Sequence, residues 1–241
     1  MTGEGWTQAV RRQLGLGRVL PLGGAGDGTW VTESAADTAL RHAVRQLTGV
    51  RLGTVRIALA DPEGMYVAAV PAPPSALPPG PLRITAGFEA ATTEPLPAAA
   101  DRLRAALVGA AVRLGLVVDD VDLRVTALLD EGEALKDVHP GESRTQEAEA
   151  AETPEGDDDE ARAARAALSV PGVTRLTGVL GRAVHIERHP ATDTLPRRHA
   201  RVELAADRGH RTLDVALAVR AAVGDALRDH PSVAVLVTAL D

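Results

Sequence analysis

The segments VDLRVTALLD (121–130) and VAVLVTALD (233–241) are near copies of one another. At a fixed offset, Val121, Val125, Thr126, Ala127 and Leu128 recur as Val233, Val237, Thr238, Ala239 and Leu240. Both alternate as strands do, and a long apolar-periodic segment precedes each. LPAAADRLRAALVGAAVRLG (96–115) is a predicted helix opened by Pro97 and closed near Gly115. RTLDVALAVRAAVGDALRD (211–229) is its counterpart.

Working outward, the same order recurs in both halves. In the first, SAADTALRHAVRQL (34–47) reads as a helix with Ser34 as N-cap and Gly49 as its stop. The strands TVRIALA (54–60) and LRITAGFEA (82–90) follow. In the second, a helix from Glu160 to Leu168 stops at Pro171 and Gly172, and AVHIE (183–187) and HARVELAA (199–206) are strands. Ala200, Val202, Leu204 and Ala206 share the inward face of the last. Gly49-Val50 answers Gly172-Val173, and Val55-Arg56-Ile57 answers Val184-His185-Ile186.

The expected class is therefore α+β: two tandem small α+β repeats (helix-strand-strand-helix-strand), each a three-stranded sheet with helices on one face. A right-handed crossover makes the second and third strands of each repeat parallel, with room for the first between them. The predicted division is an N-terminal repeat (1–129), an acidic disordered linker (130–160) and a C-terminal repeat (161–241). The linker holds 13 acidic residues against Lys136 and Arg144, a local charge of -11 within a net -7, so the remainder is mildly basic. VPAPPSALPPGP (70–81) reads as an exposed polyproline-like loop inside the first repeat.

Composition excludes several chemistries. With no cysteine there are no disulfides, zinc-thiolate sites, iron-sulfur clusters or thiol nucleophiles. No uninterrupted apolar run approaches the ~20 residues of a membrane span, and the amino terminus lacks a signal-peptide core. A cytoplasmic location, or a peripheral one at the membrane, is expected.

Gly115-Leu116-Val117-Val118-Asp119-Asp120-Val121-Asp122-Leu123-Arg124-Val125 resembles the G-L-x-V-x-x-V-x-V-x-V ending of the alkaline shock protein family, the Gls-type envelope stress proteins of Gram-positive bacteria. A helix leading into a G-V dipeptide, then two strands and a long helix, belongs to the same resemblance, and VPGV (170–173) keeps it in the second half. Both halves lack the tyrosine-glycine pair that commonly precedes the family's long helix. The resemblance implies a non-enzymatic cytoplasmic protein held at the envelope by a membrane-anchored partner.

Other constellations are weak. GGAGDG (23–28) has neither the GxGxxG spacing nor a lysine-serine pair, and reads as a turn before the strand TWVTE. His185, His189 and His199 with Glu187 and Glu203 invite a metal, but residues four apart on a strand are separated by roughly 13 Å. Only His189 and His199 are expected to meet, across a hairpin. None of the five serines sits in a nucleophile elbow. Asp119, Asp120 and Asp122 form a carboxylate cluster of which alternation turns only the last two the same way. No catalytic residue, cofactor site or metal site is expected.

Contact surfaces are better marked. Trp6, Val10 and Leu14 lie at helical spacing beside Arg11 and Arg12, a helix suited to its own domain, a partner or an anionic membrane. The helix at 212–227 is apolar around much of its circumference, so that either the two repeats pack together or a partner chain covers it. Ala234 and Leu236 make the second closing strand apolar on both faces, where Asp122 and Arg124 make the first polar on one, so the second is the candidate to meet the other repeat or a partner through its sheet. Trp6, Val10, Leu14, Ala234 and Leu236 are the expected partner-binding residues. The partner is a protein or a second copy, not nucleic acid, since base-stacking aromatics are scarce. The expected role is a non-enzymatic envelope-stress or scaffold protein; the alternatives are a nucleic-acid- or small-ligand-binding α+β module and an enzyme.

Overall fold

Both echoed segments close a β-α-β unit in the computed structural model, which describes residues 17–129, 150–151, 156–189 and 197–241. In chain order its elements are β1 (Val19–Leu22), β2 (Thr29–Thr32), α1 (Glu33–Val44), β3 (Val50–Leu59), β4 (Leu82–Ala91), α2 (Leu96–Leu114) and β5 (Val118–Leu129). Then come α3 (Asp159–Leu168), β6 (Val173–Leu176), β7 (Val184–His189), β8 (Arg197–Ala206), α4 (Thr212–Ala226) and β9 (Ser232–Leu240). The fold is α+β, with two mixed sheets and four helices among the described residues.

The helix ends follow from local chemistry. α2 starts after Pro95, with Pro97 in its first turn, and stops where Gly115 takes a φ of +91°, a conformation open to glycine. Its N–H donates back to Ala111 O and Val112 O. α1 is capped by Thr32 rather than Ser34, because β2 runs straight into it. Thr32 Oγ1 accepts from Ala35 N–H at 3.3 Å and leaves Ser34 inside the first turn. Asp158 caps α3, accepting from Ala161 N–H at 2.8 Å, and Asp159 and Glu160 occupy the first turn. The acidic run expected as linker to residue 160 thus ends as a helix start, where the macrodipole favours carboxylates. Most of that expected linker, residues 130–149 and 152–155, lies outside the described residues; Ala150 and Ala151 pair with Thr177 and Leu176.

One sheet has three strands, ordered β3-β4-β5; β3 is antiparallel to β4 and β5 is parallel to it. The other has six rather than three, ordered β1-β2-β9-β8-β6, with β7 also on β8. β9 is parallel to β8, as β5 is to β4. In neither sheet does the first strand lie between the parallel pair: β3 lies outside β4, and β6 and β7 share the far edge of β8. Two of the three additional strands are the amino-terminal hairpin β1–β2, whose second strand runs parallel to β9 with Trp30 opposite Leu236. The third arises because both β6 and β7 pair with β8, where β3 alone pairs with β4 on that side. By pairing, residues 19–32 belong with residues 173–240.

α1 and α2 cover the three-stranded sheet and pack on each other, while α3 and α4 do the same for the six-stranded sheet. α1 also touches β2 and β9, so one continuous core runs through both halves, from Phe88, Leu103 and Leu107 to Val219, Val223 and Val237. The two halves approach closely at Gly115, where a Cβ would stand 2.3 Å from Leu213 Cβ on α4. Gly115 O also accepts from Gly23 N–H at 2.8 Å.

The proline-rich segment is not a free loop. Val19 N–H donates to Ser75 O, Leu77 N–H to Val19 O, and Ala69 N–H to Ala25 O, which strap the segment across the hairpin. Val70 is buried against Val19, Trp30, Ala234 and Leu236, with Ala68 and Ala76 beside them. The physical reason is the sheet beneath, whose second face is apolar and has to be covered.

Candidate functional site

Two surfaces and one buried cluster bring functional side chains together. The buried cluster lies on the strap-covered face of the six-stranded sheet, where Trp30 on β2, Leu236 on β9 and Glu203 on β8 stand in one register row. Glu203 is fully buried, and its Oε2 accepts from Leu180 N–H at 2.9 Å. Its Oε1 is 3.4 Å from Arg201 Nε, outside hydrogen-bond geometry. Trp30 Nε1, Arg201 Nε and Glu203 Oε1 are all buried without a hydrogen-bond partner among the described residues. Burial pushes the Glu203 carboxyl up to about 7, against the opposing pull of the Leu180 N–H, the Arg201 charge and the Val179 N–H.

Ala234 and Leu236 belong to this cluster and are completely buried. Of the two covers expected there, the partner surface is corrected: hairpin and strap residues from the first half of the chain itself cover them. Their apolarity on both faces was a real signal, but it reported an internal interface. Trp6, Val10 and Leu14 lie outside the described residues.

The first surface is formed by α2 and β5. Of the nine exposed large hydrophobic side chains among the described residues, six fall on this stretch: Leu96, Val108, Val112, Val117, Val125 and Leu128. Val112 and Leu128 are the most open, at 57% and 56%. β5 pairs only with β4, so its other edge is unpaired among the described residues. On the outer face Arg83 Nε lies 3.6 Å from Asp120 Oδ2 and 3.7 Å from Asp122 Oδ2, one guanidinium serving two carboxylates. That arrangement answers the carboxylate cluster noted in the sequence. Arg124, exposed on the same face, has no ion pair with a described residue.

The second surface is a groove of about 460 Å³ between α1, α2 and the residues preceding α4. Its floor includes Ala39, Ala43, Ala106 and Gly109, and His42, Arg113, Arg208 and His210 stand around it. A larger depression of about 610 Å³ near Asp159 and Arg198 is filled with ion pairs. Arg198 bridges Asp159 at 2.5 Å and Asp229 at 2.9 Å.

The histidines do not converge. Strand register sets His199 opposite Glu187 and His189 opposite Arg197, so His189 and His199 are not directly paired across the hairpin. His199 Nδ1 instead lies 2.9 Å from Ser232 Oγ. Among the described residues no three His, Asp or Glu side chains are grouped to hold a metal. No helix among them is long and apolar enough to cross a membrane. Comparison with protein families, with curated proteins and with solved structures finds no match to this chain.

Proposed function

We propose that this protein is a non-enzymatic scaffold that acts through protein contacts made by α2 and β5. The concentration of exposed apolar side chains on these two elements, beside an unpaired strand edge, carries this reading. An isolated exposed valine needs no explanation, but six on one β-α-β segment leave apolar area that a monomer does not use. The finer proposal is that the chain consists of two copies of one α+β unit, of the alkaline shock type, working at the envelope through a membrane-anchored partner. The parallel pairing shared by β4–β5 and β8–β9 supports that reading, as do the matched residues of the two closing strands.

Affinity isolation from the native cell, with and without membrane extraction, tests it. A partner captured by the wild type and lost with Val112→Ser plus Leu128→Ser is the expected result. Capture unchanged by these substitutions overturns the assignment of the surface.

The groove between α1 and α2 favours a second reading, a site for a small amphipathic anion. Its alanine floor suits an apolar body, and Arg113 and Arg208 suit an acidic head. Thermal-shift titration with a medium-chain fatty acid distinguishes the two readings: stabilisation lost with Arg113→Ala supports the second.

A further inference from the structure

β5 carries the pattern of a strand that recognises itself. We propose that two copies of this chain pair through β5, antiparallel and centred on Leu123, joining two three-stranded sheets into one of six strands. This rests on the reading of α2 and β5 as a contact surface and names its occupant as a second copy.

In an antiparallel pair, directly opposed residues lie on the same face of the sheet, so a two-fold axis at the strand passes through a residue. Charge decides which residue. Centring on Asp122 sets that carboxylate against its own copy, and centring on Val121 sets Asp120 against Asp122. Centring on Arg124 opposes two guanidinium groups. Centring on Val125 sets Arg124 against Thr126, with no attraction. Only with Leu123 at the axis do Asp122 and Arg124 meet across the seam, twice by symmetry, with Val121 against Val125 on the other face.

The structure meets the needs of this register. Asp122 and Arg124 share the outer face with Arg83 and are exposed, because β4 places Thr85 and Gly87 opposite them. Asp122 has only a shared ion pair at 3.7 Å and Arg124 has none with a described residue, so both are available. β5 is irregular against β4 at Asp119 and again at Thr126, where the register steps by one. These bulges bracket a regular run, Asp120–Val125, that contains the whole central seam. Bulges guard an edge strand against indiscriminate pairing, and here they leave one short window open. Val125, 39% exposed at the edge, gains an apolar neighbour in Val121 of the second copy.

Sedimentation velocity on the full chain tests the proposal. The wild type is expected to dimerise, and Asp122→Arg or Arg124→Asp alone is expected to weaken the dimer by at least about tenfold, since each opposes like charges at both contacts. The substituted residues are exposed, so both variants should keep the wild-type circular-dichroism spectrum and cooperative unfolding. An equimolar mixture of the two single variants should recover a heterodimer, and the double exchange in one chain should recover the homodimer. A monomeric wild type at its highest soluble concentration overturns the proposal, as does a dimer indifferent to both single reversals. Capture of another protein through Val112 and Leu128 would survive either result, so failure here is separable from failure of the scaffold reading.

Discussion

Glu203 Oε1 stands 3.4 Å from Arg201 Nε, and neither atom completes a hydrogen bond among the described residues. An acid so placed makes stability depend on pH in an unusual direction. Its folded value, about 7, is above the ordinary 4.5 that the unfolded chain takes, so the folded protein holds the proton more tightly. The contribution is fully present below about pH 4.5. It is lost as pH rises toward 7, roughly 3 kcal/mol at most. Asp241 works in the opposite sense: burial raises it, but hydrogen bonds from Arg175 and Thr174 and the charge of Arg208 hold it below its ordinary value. Glu203→Gln should therefore melt higher than wild type at pH 8 and alongside it near pH 4.5. Parallel melting curves at both pH values would show that the carboxyl does not titrate as placed.

Leu236 is fully enclosed by Trp30, Val70 and Val19, so truncating it leaves a cavity rather than a bare patch. Leu236→Ala should cost about 2–5 kcal/mol in denaturant unfolding. If stability stays within about 0.5 kcal/mol of wild type, the strap does not cover this face.

Gly115 joins a left-handed backbone to a close approach between the halves, 2.3 Å from a built Cβ to Leu213 Cβ. Gly115→Ala should destabilise by about 2–4 kcal/mol, combining the positive φ with a displaced α4. Gly109→Ala, where a Cβ meets only the far end of Arg113 in mid-helix, should instead be neutral or stabilising. Equal effects at the two positions would contradict the packing.

The strap predicts protection of its own backbone. The Ala69 and Leu77 amides, which donate to Ala25 O and Val19 O, should exchange with solvent far more slowly than the Glu63 amide, bonded only to the exposed Asp61 side chain. Uniformly fast exchange from 61 to 81 would return the segment to the free polyproline loop that its composition suggests.

Local chemistry and the pairing of strands joined by one helix were legible in the sequence, and the pairing of distant segments was not. The helix of residues 96–114 announced itself through Pro97, its apolar period and Gly115, and the alternation of β4 and β8 was plain. The parallel pairs β4–β5 and β8–β9 followed from connection geometry alone. β1 and β2 escaped because four residues are too few to show a period, and because nothing local to VLPL or TWVT points to a partner at Val235–Val237. The same gap misdirected the reading of Ala234 and Leu236. Their double-sided apolarity called for a cover, and only the folded chain identifies it as Trp30 and Val70. Glu203 sat in a cleanly alternating strand as an outward polar residue, and its burial depends on that same distant cover.

The insertion of β2 beside β9 imposes an order on synthesis. Thr32 Oγ1 donates to Thr238 O across a separation of 206 residues. At about 5–20 residues per second, the ribosome delivers one end of that contact roughly 10–40 s after the other. Through that interval the hairpin carrying Trp30 has no sheet to join, and the strap has nothing to close over. The nascent first half is consequently an unfinished object, exposed to chaperones and to premature pairing with neighbouring chains until its last strand arrives.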